Sequence, residues 1–212
     1  MRSRILWLLL ALAGIAAFAH ADTIGPNCAT CQGSTYTLTY NPTPVSTTAT
    51  TETFRFFYTV NTSTFNGSQP AFIDDVGFHA STDNISAVLV SAPGGVGNWT
   101  VILGALNAKG CKDNSGNPFV CADTTKMLAT NQVVTGVNVP NLTWVFDVTM
   151  TKGTLLMDAS IKARYVDSAG KKIGPLLSED ITLTPVPEPA TIALFGGGLL
   201  GMAGMIRRRS RN

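Results

Sequence analysis

Charge and histidine are what this sequence has least of. Asp, Glu, Lys and Arg make up 13% of its 212 residues, against a usual share of about 25%. There are two histidines, His20 and His79. His20 lies in a segment expected to be removed on export, which leaves His79 alone. No Gly-x-Ser-x-Gly elbow accompanies it, and one His with one Asp falls short of a catalytic zinc ligand set. A Lys/Arg face is missing as well. Between residues 22 and 186 nine basic residues stand against twelve acidic ones, and the pI of 8.4 comes from the termini. Nothing there neutralises a phosphate backbone, so no nucleic-acid partner is expected. No repeat of 20–45 residues occurs, which argues against a solenoid.

The same span contains no amphipathic helix beyond one short turn at residues 126–132. Its pattern has period two instead. Leu142, Trp144, Phe146, Val148 and Met150 alternate with Thr143, Val145, Asp147, Thr149 and Thr151. Residues 35–40, 53–60 and 155–165 alternate in the same way. Further strands are predicted at 72–79, 85–91, 98–104, 119–126, 133–139 and 179–184. Gly and Pro clusters separate them. One apolar and one polar face per strand mark antiparallel sheets packed on one side. The expected fold is all-β, an antiparallel β-sandwich of Ig-like or jelly-roll type over residues 22–185.

The termini differ from this domain. Arg2 and Arg4 precede a 14-residue apolar run at residues 5–18, and Ala19-His20-Ala21 follows. This is the form of a secretory signal peptide, residues 1–21, cleaved after Ala21, with Ala19 and Ala21 as the small residues of the cleavage site. At the other end Pro187, Glu188 and Pro189 precede residues 190–206, which carry no charge and include five glycines. Arg207, Arg208, Arg209 and Arg211 then follow. Seventeen residues is the lower limit for a spanning helix, and the Arg cluster would hold its own side in the cytoplasm. One C-terminal transmembrane helix over residues 190–206 is therefore expected.

Residues 186–212, with a Pro-Glu-Pro stretch, a Gly-rich apolar span and an Arg cluster in that order, resemble the PEP-CTERM sorting signal. The resemblance implies a Gram-negative bacterium that makes exopolysaccharide. It implies exosortase, an integral-membrane cysteine protease or transpeptidase, as the partner that recognises Pro187, Glu188 and Pro189. The secretion translocon and the inner membrane would be earlier partners. The ectodomain would wait in the periplasm and then reach the cell surface or the extracellular matrix, with exopolysaccharide as a candidate contact there. The tail of this family is also labelled an ice-binding protein C-terminal domain, a label that describes the tail alone. A plain uncleaved anchor is the competing reading.

Within the domain the residues offer few sites. Four cysteines in an exported chain read as two disulfides. Three connectivities exist, and Cys28–Cys31 with Cys111–Cys121 is preferred. Cys28-Ala29-Thr30-Cys31 follows a Gly-Pro turn rather than a strand, which argues against thioredoxin-like chemistry. Glycoside hydrolysis needs two facing carboxylates. Glu52, Asp74, Asp75, Asp147 and Asp158 are available, with no motif to select a pair. On one strand Asp75 and His79 would share a face and Asp74 would take the other. Residues 113–117 loosely suggest a calcium loop but lack its bidentate Glu. The 27 threonines suit the solvent side of strands, and would also suit an ice- or glycan-facing surface. Phe57, Phe65 and Trp99 are the aromatic candidates for sugar stacking, with Trp144 facing the core. No catalytic residue, metal or cofactor is expected. The leading reading is a non-enzymatic surface or matrix protein; the alternatives are a carbohydrate-binding module or carbohydrate-active enzyme, and an ice-binding protein.

Overall fold

The computed structural model describes residues 22–68, 70–113, 119–124, 141–156 and 158–185. The predicted signal segment, the 126–132 turn, the 133–139 strand, residues 114–117 of the suggested calcium loop and everything after Pro185 lie outside them. Among the described residues thirteen strands follow in order: β1 (Thr23–Ile24), β2 (Thr35–Tyr40), β3 (Ser46–Thr47), β4 (Thr51–Asn61), β5 (Phe72–His79), β6 (Asn84–Ser91), β7 (Thr100–Asn107), β8 (Gly110–Asp113), β9 (Phe119–Asp123), β10 (Asn141–Thr151), β11 (Asp158–Val166), β12 (Leu177–Thr182) and β13 (Thr184–Pro185). They form two sheets. Sheet A runs β1-β2-β4-β10-β6, with β13 also on β2 and β3 on β4; sheet B runs β12-β11-β5-β9-β7-β8. All pairings are antiparallel except β13 on β2.

The alternation read from the sequence is the reason the sheets stack. In β4, Phe54, Phe56, Tyr58 and Val60 are buried, and in β10 Leu142, Trp144, Phe146, Val148 and Met150 are buried. The register sets Trp144 opposite Tyr58 and Phe146 opposite Phe56, so these four rings lie on the buried face, while Phe57 of β4 lies on the other. Sheet B answers with Phe78, whose ring lies 5.1 Å from Phe56 and 5.4 Å from Phe146. Burying a side chain of this size is worth about 1.5–3 kcal/mol, and offset or edge-on ring pairs add to it. At one end of the core the Tyr165 hydroxyl donates to Ser34 Oγ at 2.8 Å and meets Tyr36 Oη at 2.9 Å. Burial pushes the Tyr165 phenol up to about 12, so these groups stay neutral donors.

Several strand limits differ from the alternation. Residues 96–98 form a 3-10 turn, and β7 starts at Thr100 rather than 98. Residues 152–153 form a turn after β10 and β11 starts at Asp158, because Thr154 and Gly153 fold back on β10 and β4. β12 covers Leu177–Thr182 rather than 179–184. After it Leu183 inserts into the core, and the chain crosses from sheet B to sheet A.

Candidate functional site

The path into the C-terminal segment is set by β13. Thr184 pairs with Thr39 and Pro185 with Tyr40, parallel to β2. Pro185 has no N–H to continue the ladder. β13 therefore reaches Pro185, the last described residue, running in the direction of β2. Pro187, Glu188 and Pro189, the 190–206 span, Arg207, Arg208 and Arg209 lie outside the described residues, as do Ala19 and Ala21. Among the described residues no helix is long and apolar enough to cross a membrane.

The solvent side of sheet A carries threonine in cross-strand rows. Thr37, Thr59 and Thr143 form one row, and Ser46, Thr53, Thr149 and Ser86 another. Their hydroxyls pair with one another, Thr59 with Thr143 at 3.0 Å and Thr53 with Thr149 at 2.9 Å. Between these rows run Thr39, Phe57 and Val145, and then Arg55, Asp147 and Val88. Arg55 donates bidentately to Asp147, at 2.7 and 2.8 Å. Of the three aromatic candidates Phe57 is on this face and half-buried. Trp99 is a correction: it is buried, its ring edge-on to Trp144 at 5.3 Å and its Nε1 donating to Pro93 O at 2.8 Å. Phe65 is stacked on Tyr165 at 4.9 Å, which closes one of its faces.

The solvent side of sheet B holds a buried acid cluster that parity misjudged. Arg164 pairs with Asp75 and Tyr165 with Ile73, so Asp74 is an extra residue, a bulge. A bulge sets two residues of one strand against one of its partner. Both carboxylates thus reach Arg164 instead of lying on opposite faces. Arg164 Nη2 and Nε donate to Asp74, the latter at 3.0 Å, and Nε also lies 2.6 Å from Asp75 Oδ2. The Nε–H is aimed at Asp74, so Asp75 Oδ2 has charge contact without a formed hydrogen bond. Asp75 Oδ1 accepts from the backbone N of Cys111 at 3.0 Å. Burial, and then the Asp74 charge, push Asp75 up to about 7, against the lowering pull of Arg164 and the Cys111 N–H. Burial also raises Asp74 and Asp123.

The β7–β8 hairpin covers this cluster. Leu106 packs over Gly77, where an added Cβ would sit 3.3 Å from Val120 O and 3.5 Å from Leu106 Cδ2. Arg164 Nη1 and Lys162 Nζ reach the hairpin carbonyls of Ala108 and Leu106. The Cys111–Cys121 disulfide ties β8 to β9, with Cα atoms 5.9 Å apart, and Cys28–Cys31 closes locally at 5.2 Å. The Asp75 carboxylate and both sulfurs lie within 4.8 Å of one another. Sulfurs bonded to each other offer no thiolate, so this group does not suit a metal.

His79, Ser160 and Asp180 form a row across β5, β11 and β12. They line an open depression of about 380 Å³ with Asp158 and Ala159. The Ser160 hydroxyl donates to Asp180 at 2.5 Å. Serine therefore stands between histidine and acid, whereas a hydrolytic triad needs the imidazole in the middle. His79 stacks on Phe119 at 5.2 Å, and burial lowers its pKa. The five carboxylates weighed for glycoside hydrolysis are scattered. Asp147 is on the solvent face of sheet A, Asp74 and Asp75 are under the hairpin of sheet B, Asp158 is in the depression, and Glu52 is beside Gly153.

No curated protein matches the chain. Among solved structures, the C-terminal domain of the Streptococcus pyogenes antigen I/II-family protein AspA is 12% identical at a TM-score of 0.38, over 72% of this chain and 52% of that one. A chain named BspA_C_mut is 12% identical at 0.32, over 69% and 52%. AvmM, which catalyses macrocyclization in alchivemycin A biosynthesis, is 16% identical at 0.26, over 80% and 90%. The chain spans about half the length of the first two. Residues 185–209, from the last residue of β13 onward, match the model of the PEP-CTERM protein-sorting motif; the chain carries that motif, the mark of a surface protein sorted by exosortase.

Proposed function

We propose that this protein is an exported, non-enzymatic component of the cell surface or extracellular matrix, held for a time in the inner membrane by residues 190–206 and then cut by exosortase near Pro187, Glu188 and Pro189. The observation that carries this reading is the sorting motif at residues 185–209 joined to the sandwich without a spacer. Asp74 and Asp147 are held by arginines, Asp180 by Ser160, and His79 stacks on Phe119, which supports a scaffold rather than a catalyst. Intact mass of the extracellular form from a host with active exosortase tests it. The expected product lacks Arg207, Arg208 and Arg209; a surface form that still carries them refutes the processing.

A second reading, a carbohydrate-binding module, draws on Phe57 and the threonine rows of sheet A. A half-exposed ring flanked by hydroxyls and a planar ion pair offers the stacking and hydrogen bonding that sugars use. Retention of the extracellular domain on an exopolysaccharide array, lost in Phe57→Ala, is its expected result. An ice-binding role would use the same face, and thermal hysteresis measurements test it. The row of Arg55, Asp147 and Val88 interrupts the threonines there.

A further inference from the structure

The direction of β13 decides which end of the sandwich points at the membrane. β2 and β13 run in parallel toward Tyr40 and Pro185. At that end β4 begins, β10 finishes and β6 starts. Thr51 faces Thr151, and Met150 faces Asn84. The connections there are residues 41–50, which include β3, residues 80–83 and residues 152–156. Lys152 N donates to Thr50 O at 2.9 Å, joining two of them. The opposite end holds the turn after β4 and the turn at residues 167–170.

The geometry leaves little clearance. Residues 186–189 separate Pro185 from the apolar span. Four extended residues reach about 14 Å at most. Residues 190–206, helical, would span about 26 Å of a roughly 30 Å hydrocarbon core, so none is spare as a linker. The sandwich itself reaches past Pro185. Tyr40 faces Phe56, while β4 starts five residues further on at Thr51. That is about 17 Å of strand beyond the exit point, more than the tether can hold clear of the lipid.

The side chains at this end fit such contact. Leu155 is 82% exposed, Ile85 54% and Val45 50%. Two of the acids at this end are turned into the loops, while Asp22 and Asp158 are exposed at its sheet B side. Glu52 accepts from Gly153 N at 3.4 Å and Asp83 from Thr154 Oγ1 at 3.5 Å. Lys152 is exposed. Apolar tips beside a lysine suit the headgroup boundary of a bilayer.

We propose that in the membrane-tethered precursor this end of the sandwich rests on the lipid surface, with Leu155 and Val45 seated among the headgroups. The proposal rests on the tethered intermediate above. The test uses the full chain in vesicles of phosphatidylethanolamine and phosphatidylglycerol that contain headgroup-quencher lipid. Leu155→Cys, and separately Ser168→Cys at the opposite end, carry an environment-sensitive fluorophore; the native cysteines are in disulfides. The expected result is roughly twofold or greater quenching at 155 relative to 168, with a blue-shifted emission at 155. Equal quenching at both positions, or none at 155 in a chain that floats with the vesicles, overturns the docking alone. A chain that does not float overturns the tether, and the docking with it.

Discussion

Asp75→Asn separates the electrostatics of the buried cluster from its packing. Asp75 is fully buried. Its carboxyl rises from 3.8 to about 7, through burial first and the Asp74 charge second. The sign follows from proton linkage. Below about pH 3.8 the carboxyl is neutral in folded and unfolded chains alike, and the site costs nothing. Between about 3.8 and 7 the unfolded chain releases a proton that the folded chain keeps, so stability falls as pH rises. Above about 7 the full cost is present. A rise of about 3 in pKa at about 1.4 kcal/mol each sets this at about 4 kcal/mol. Asparagine keeps an oxygen to accept from Cys111 N and cannot ionise. Urea unfolding of parent and variant at pH 4.5 and pH 8 measures the effect. The useful quantity is the change in their stability difference between the two pH values, because any packing cost of the substitution cancels. The expected change is about 2–4 kcal/mol in favour of the variant at pH 8. Parallel stability curves for the two proteins would refute the reasoning and mean that Arg164 neutralises Asp75 completely.

Arg164→Met leaves Asp74 and Asp75 buried without their cation, and is expected to cost about 3–5 kcal/mol at neutral pH. The comparison is Arg55→Met on the face of sheet A, where the Arg55 side chain is 35% exposed and a loss of about 0–1 kcal/mol is expected; equal losses in denaturant titrations would contradict the assigned burial. Replacing Cys111 and Cys121 by Ser opens a loop of about ten residues and is expected to cost about 3 kcal/mol, more than the same change at Cys28 and Cys31; calorimetry gives the ranking. Replacing Pro187, Glu188 and Pro189 together by Ala is expected to leave full-length chain in the inner membrane, whereas replacing Arg207, Arg208 and Arg209 by Ser removes the positive flank and is expected to release soluble unprocessed chain. Fractionation with intact mass distinguishes the two, and normal processing of both variants would reduce the tail to a passive anchor.

Strand identity and core membership were legible in the sequence wherever alternation was long and unbroken. β4 buries four alternating residues and β10 five, and a one-residue slip would turn all of these outward, so their register has one good solution. The tail was equally legible, because its order of Pro-Glu-Pro, apolar span and Arg cluster is local in the chain. Only the tertiary structure decided the rest. Trp99 lies between a 3-10 turn and β7, where no alternation marks a buried side, and it is buried because Trp144 of sheet A supplies its partner. Asp74 and Asp75 share one arginine because of a bulge, which shifts parity by one without any mark in the pattern. β8 is four residues long, too short to show a period, and its place depends on a disulfide and a hydrogen bond to Asp75. The crossing from β12 to β13, which aims the chain at one end of the sandwich, is made by Leu183 finding the core between two sheets. Period and local order are properties of neighbours along the chain; bulges, cross-sheet packing and exit direction are set by residues far apart in sequence, whose meeting no local pattern encodes.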